Sequence, residues 1–354
     1  MFGQQWLVMS WCLSCLLSYA QSLSCTEDEE SMEHPISLLQ HGMQFRAPVL
    51  VPEASIPPFV YIRTHKTGSS TLNSVLMRMI DRHDARFKRL MLGLPGLGWP
   101  GHFPGSSKFG PPQHQYDAII GHTVLNFPLM CDFMKPNPFF MTTLRHPLDQ
   151  FISSKNFYFP DLTWDEFLSM TESDDRWLLA KMKNPQAFDL GWYEFAGEST
   201  KFDDDQAKIN EWLATLDNQL NHTILLEHFD EGLVLLSHKW QVEIEEMKYV
   251  VKNSNDEKIL PSEGQRQRIS ALINVDMALY AHVHNGFQQQ WLSGNFSKFE
   301  SDLLKLQRVN SQLQDACRRN ITEVCAHKFL WEDKDWNSLF NASTNLQADF
   351  AYHS

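Results

Sequence analysis

Phe59 to Leu72 reads FVYIRTHKTGSSTL, and the folding of this stretch decides the architecture of the chain. Phe59 to Arg63 opens with aromatic and β-branched residues in an unbroken run, the composition of a strand buried on both faces. Beyond it Leu72, Val75, Leu76, Met79 and Ile80 recur at helical spacing and give the next segment one apolar face. Between the two lies a turn of small and hydroxyl residues with a single glycine, Gly68. Strand, small-residue turn and helix together aim unpaired backbone N–H groups at whatever sits before the helix, a natural place for an anion. The paired glycines and Lys-Ser/Thr of the Walker pattern are missing. The turn offers Lys66 as a mobile positive charge, the hydroxyls of Thr67, Ser69, Ser70 and Thr71, and close backbone approach at Gly68. Helix capping by Thr67 or Ser69 would account for the hydroxyls but not for the lysine.

Working outward, Tyr116 to Ile120 is a short strand that runs into Gly121-His122. Phe139 to Leu144 (FFMTTL) is another, ending at Arg145-His146-Pro147, and Thr223 to Leu226 is a further one. Thr163 with Glu166 predicts a capping box. A helix runs through EGLVLLSHKW, Ser262 with Gln265 caps a long helix ending near Asn285-Gly286, and Phe299, Leu303, Leu306, Leu313 and Cys317 line a late packing helix. Gly93 to Pro112 is too rich in glycine and proline for regular structure. Alternating strands and helices predict an α/β fold, a parallel sheet flanked by helices, with ligands at the carboxyl ends of the strands. Arg145, followed by Pro147 at a helix start and by Ser153 two turns on, has the donors to grip a phosphate; a pairing with Asp149 is the bland reading. His122, after a glycine at a strand end, has the chemistry of a general base or of a structural hydrogen-bonder.

The chain as a whole has 354 residues, 43% of them hydrophobic, and a formal charge of −13, which disfavours nucleic acid as a partner and requires any anion site to be locally basic. Trp6 to Ala20 carries no charge; a cleaved signal and a retained anchor both fit it, and either sends the chain into the secretory pathway. Residues 1–25 are thus a targeting segment, 26–56 an acidic stem, and 57–354 the folded domain. Sequons at Asn221, Asn295, Asn320 and Asn341 agree with that route. Outside the apolar segment stand Cys25, Cys131, Cys317 and Cys325, predicting a Cys317–Cys325 bond and a Cys25–Cys131 bond, with free buried thiols as the alternative.

THKTGSSTL after a strand, a GH strand end, and LRHP with a serine eight residues beyond its arginine resemble the Golgi galactose 3-O-sulfotransferase family, which includes galactosylceramide sulfotransferase. FDLG at Phe188 to Gly191, LLEHFDEGLVLL at Leu225 to Leu236 and the late run NFSKFESDLLKLQRVNSQLQDAC are similar as well. The resemblance covers about Pro57 to Cys325 and implies a P-loop-NTPase-like sulfotransferase fold in a single-pass type II Golgi membrane protein with a lumenal catalytic domain. It implies 3′-phosphoadenosine-5′-phosphosulfate as co-substrate, with the 5′-phosphosulfate held by His65, Lys66, Thr67, Gly68, Ser69, Ser70 and Thr71 and the 3′-phosphate by Arg145 and Ser153. His122 and Lys66 are the implied catalytic residues, the acceptor is a galactose-terminated glycolipid or glycan, and no metal is expected. Met91 to Gln113 and Asp149-Gln150 depart from the family pattern and leave the acceptor open. A uronyl or glycosaminoglycan sulfotransferase and a non-catalytic nucleotide- or glycan-binding paralogue are the alternatives; a nucleotide kinase conflicts with the absent Walker glycines.

Overall fold

A computed structural model of the chain describes residues 56–93, 96–170, 175–251, 259–318, 335–336, 338–339 and 347–351. The N-terminal apolar segment, nearly all of the stem, Cys25, Cys325, Asn320 and Asn341 lie outside the described residues. Among those described, no helix is long and apolar enough to cross a membrane.

Six strands form one sheet in the order β5-β4-β1-β3-β2-β6, with every pairing parallel. They are β1 (Phe59–Ile62), β2 (Arg89–Gly93), β3 (Ala118–Gly121), β4 (Phe139–Leu144), β5 (His222–Leu225) and β6 (Gln347–Ala351). Of the expected strands, β4 falls where the sequence puts it and β1 and β5 lie within a residue. Tyr116 stands outside β3, in an isolated bridge to Met134. Every residue of β1 is buried, as the helices on a parallel sheet require, and each buried aliphatic contributes about 1.5–3 kcal/mol. β1 pairs with β3 on one side and β4 on the other, with Ile62 opposite both Gly121 and Thr142. The carboxyl ends of these strands therefore open side by side.

The longer helices are α1 (Ser69–Arg82), α2 (Phe127–Phe133), α3 (Pro147–Tyr158), α4 (Trp164–Ser169), α5 (Arg176–Met182), α6 (Pro185–Asp189), α7 (Gln206–Gln219), α8 (Phe229–Trp240), α9 (Glu263–Ser270), α10 (Asn274–Ser293) and α11 (Phe296–Arg318). Pro147 opens α3 as predicted, and both hydrogen bonds of the Thr163 capping box form. The Gly/Pro-rich segment contains one helical turn, Ser106–Phe109. Where the sequence predicts one long helix from Ser262, the chain breaks: α9 ends at Ser270 and α10 starts at Asn274, running past Gly286 to Ser293. The break has a tertiary cause. Asn184 Oδ1 accepts the N–H groups of Val275 (2.9 Å) and Asp276 (3.2 Å), capping α10 from a distant part of the chain. Asp276 returns the favour to α6, accepting the N–H of Gln186 at 3.2 Å and of Ala187 at 2.7 Å. Burial pushes the Asp276 carboxyl up to about 7. Cys131 and Cys317 are both in disulfide bonds; the expected partners, Cys25 and Cys325, are among the residues not described.

Candidate active site

The turn between β1 and α1 is fixed from below by hydroxyls. Thr67 Oγ1 lies 2.8 Å from Thr64 Oγ1 and 2.8 Å from Thr143 Oγ1, and donates to the Thr64 carbonyl at 3.0 Å. Thr67 is fully buried, so its side chain is spent on β4, and toward an anion it has its backbone N–H to offer. Lys66 at φ +62° and Gly68 at φ +80° both adopt left-handed backbone, an alternation that turns successive N–H groups toward one concavity. α1 begins at Ser69 with no side-chain cap, which leaves the first helical N–H groups for a ligand. Ser70 is partly exposed, whereas Ser69 and Thr71 are buried. Lys66 Nζ rests 3.6 Å from the centre of the Phe157 ring.

A Cβ on Gly68 would meet Leu226 Cδ1 at 2.6 Å in a backbone conformation that disfavours side chains. Gly68→Ala is therefore expected to cost about 1–2 kcal/mol of stability, measured by chemical denaturation. Unchanged stability would mean that the turn tolerates a side chain at this left-handed position.

His122, from the end of β3, and His65, from the turn, stack with ring centroids 4.1 Å apart. His122 Nδ1 donates to the Arg63 carbonyl at 2.6 Å, which leaves Nε2 with its lone pair. Burial, followed by the charges on His65, Arg63 and Lys181, holds the His122 pKa well below the ordinary histidine value, against the pull of that hydrogen bond. His122 is consequently neutral and basic at Nε2 near neutral pH. His65 is gripped by Asp189, whose Oδ2 accepts both its backbone N–H (3.0 Å) and Nδ1–H (2.9 Å). Its carbonyl accepts from Gln150 Nε2 at 2.8 Å. Desolvation and neighbouring cations depress the His65 pKa too. The other oxygen of Asp189 accepts from Trp99 Nε1 at 2.7 Å, and the Trp99 ring packs 4.2 Å from His65. The Gly/Pro-rich loop thus carries an aromatic wall to the histidine pair, and Leu97 N–H bonds the His122 carbonyl at 2.6 Å to pin it there.

Arg145 stands at the end of β4, held through its backbone by the Gln186 amide, which accepts its N–H (2.8 Å) and donates to its carbonyl (2.9 Å). Its Nη1 lies 3.5 Å from the Lys66 carbonyl. Burial lowers its pKa, opposed by Asp149 and Glu227. Ser153 is partly exposed on α3. The sheet thereby brings Lys66, His122 and Arg145 to adjacent strand ends, as the sequence predicts. Asp189, Lys181, Trp99, Gln150 and Gln186 were not singled out as site residues, although FDLG contains Asp189. Elsewhere His102, Glu194 and Glu198 bring three metal-ligand atoms together. Arg176 already bridges the glutamates, at 2.6 Å to Glu194 and 2.5 Å to Glu198, and ties the loop to α5 through the Pro100 carbonyl.

Fold and site define an α/β protein whose neighbouring strand ends bring Lys66 and Arg145 together with a neutral imidazole. Residues 37–328 match the family model of galactose-3-O-sulfotransferase, and the chain belongs to that family. It is 25% identical over 275 residues to galactose-3-O-sulfotransferase 2 of Mus musculus, covering 72% of this chain and 68% of the relative. It is 26% identical over 274 residues to galactosylceramide sulfotransferase of Bos taurus, covering 73% of this chain and 63% of the relative. A galactose-3-O-sulfotransferase 2 of Sus scrofa is 25% identical over 297 residues, covering 79% and 74%.

Proposed function

We propose that the chain transfers a sulfuryl group from 3′-phosphoadenosine-5′-phosphosulfate to the 3-hydroxyl of a galactose residue on a glycolipid or glycoprotein glycan. The observation that carries this reading is the meeting of the Lys66 turn, His122 and Arg145 at neighbouring strand ends. The N–H groups of the turn and of the start of α1, with the Ser70 hydroxyl, would hold the 5′-phosphosulfate. Arg145 and Ser153 would hold the 3′-phosphate, the group that distinguishes this donor from ATP. The acceptor oxygen attacks sulfur in line, and the bond from sulfur to the bridging phosphate oxygen breaks. The hydroxyl proton passes to His122 Nε2. Charge builds on the departing oxygen, where the Lys66 ammonium stabilises it. The reading extends to an enzyme of the Golgi lumen, anchored by the N-terminal segment as a type II membrane protein.

Transfer of radiolabelled sulfate from the nucleotide donor to an array of β-galactosides, with linkage analysis of the products, tests it. Label at the galactose 3-position is the expected result. Label confined to heparan-type chains would overturn the acceptor assignment, and donor binding without turnover on any glycan would overturn the enzyme assignment.

A further inference from the structure

Lys181 departs from the rule that lysines stay in water. Its side chain lies on α5 and the residue is 1% exposed. The ammonium sits between two aromatic faces, 4.0 Å from the centre of the Trp99 ring and 3.9 Å from that of Tyr158. Among the described residues nothing accepts a hydrogen bond from it, and no carboxylate oxygen comes within ion-pair distance. Cation–π contact contributes about 2 kcal/mol at a desolvated site. That offsets only part of the cost of taking an ammonium out of water. Its N–H donors thus have no partner among the described residues, one ring away from the histidine pair. Its charge is felt at His65, at His122 and at Lys66, and the wall it lies on, Trp99, touches His65.

A structural role as counter-ion to Asp189 is the competing explanation. Asp189 does influence it, but that carboxylate already accepts from the backbone and ring N–H of His65 and from Trp99, and it makes no ion pair with Lys181. Lys181, Arg63 and Lys66 all bear on His65, and Lys181 also bears on Asp189. Cations that converge on one histidine favour an anion beside it. An in-line transfer places the departing oxygen on one side of sulfur and the acceptor oxygen on the other, with three non-bridging oxygens around the middle. On the reading above Lys66 serves the departing side and His122 the acceptor side; Lys181, one ring from the histidine pair through Trp99, is left for the oxygens between.

We propose that Lys181 is a further catalytic residue, whose ammonium donates hydrogen bonds to the non-bridging oxygens of the sulfuryl group in transfer. The proposal rests on the sulfotransferase reading above. As the sulfur–oxygen bond to the acceptor forms and the one to the nucleotide breaks, Lys181 keeps its protons and its charge faces oxygens that pass from one partner to the other. Burial pushes its pKa down to about 7, held up by Asp189, so an arriving anion also secures its protonation.

The full chain and its Lys181→Gln and Lys181→Met variants are compared by transfer of radiolabelled sulfate to a β-galactoside. They are also compared by calorimetric binding of adenosine 3′,5′-bisphosphate, the donor without its sulfuryl group. The expected result is kcat lowered about 10²-fold in both variants, with bisphosphate affinity and acceptor KM within about threefold of wild type. Wild-type kcat in either variant overturns the proposal. So does an equal loss of bisphosphate affinity, a change confined to acceptor KM, or the unfolding of both variants at the assay temperature, each of which gives Lys181 another role. A wild-type chain that sulfates no glycan overturns the functional reading itself, an outcome distinct from an active wild type with active variants.

Discussion

His122→Ala is expected to lower kcat for sulfate transfer by about 10²- to 10⁴-fold, the usual contribution of a positioned general base, with affinity for adenosine 3′,5′-bisphosphate within about twofold. The argument starts at Nδ1. Its proton is committed to the Arg63 carbonyl, which fixes the tautomer and leaves Nε2 as the basic atom. Alanine also strips that carbonyl of its donor, so His122→Asn is the better companion: its amide can still reach a carbonyl but offers no base. Both should fail in turnover, and Asn should retain more stability. The bisphosphate grip is assigned to the turn and to Arg145, neither of which uses the imidazole side chain. Wild-type turnover in either variant would remove His122 from the chemistry.

The pH dependence has a definite sign. His122 and His65 both have folded-state pKa values below the unfolded value, with burial the largest cause. Their neutral forms are favoured by folding, so this contribution to stability is present above the unfolded value of about 6.5 and is lost as pH falls toward the folded values. The share of the melting temperature that His122 and His65 supply should therefore decline on acidification below about 6.5, opposed by the Asp189 and Asp276 carboxyls, which burial raises to about 7; His→Asn variants isolate the histidine share. The acid limb of kcat/KM, which reports the free enzyme, should likewise lie below the ordinary histidine range. A limb at or above about 6.5 would show that His122 is not held neutral as described.

How much of this could be read from residues alone depends on where the physics is local. β1, the turn and α1 are encoded in one contiguous pattern, and β4 ends in an arginine followed by a helix-opening proline, so the Lys66–Arg145 meeting follows once the sheet is parallel. β2 was hidden because RLMLG follows a basic run and lacks the β-branched signature, and β6 gains its place only by pairing with β2. The α9–α10 break depends on Asn184, about 90 residues upstream in the chain, which no window of local sequence contains. Lys181 in RWLLAKM looks like the polar face of an ordinary amphipathic helix, since lysines are almost never buried. Trp99 sat in a segment with no periodicity at all. Elements were legible from local pattern; the side chains that hold His65 and so brace His122 came from three separate segments, at Trp99, Gln150 and Asp189, and were not.

Asp189→Ala is expected to destabilise the protein by about 3–5 kcal/mol, the cost of breaking a buried charged network from one side. At roughly 2–4 °C per kcal/mol for a domain of this size class, the melting temperature falls about 6–20 °C. The carboxylate is fully buried and is the acceptor for three donors at once, the two N–H groups of His65 and the Trp99 indole. Removing it strands all of them away from water and leaves Lys181 without its nearest negative charge. Burial raises the Asp189 carboxyl to about 7, while Lys181 and the donated hydrogen bonds pull it back toward ionisation; three donors aimed at one side chain argue for the carboxylate. Asp189→Asn separates charge from shape. Its single amide oxygen can satisfy one side of the network, while its NH₂ confronts the remaining donors. Asn should recover part of the lost stability yet little of the lost turnover, because a loosened His65 no longer braces His122 through their stacked rings. Asn with wild-type melting and wild-type kcat would mean that neither the charge nor the hydrogen-bond pattern at Asp189 positions the histidines.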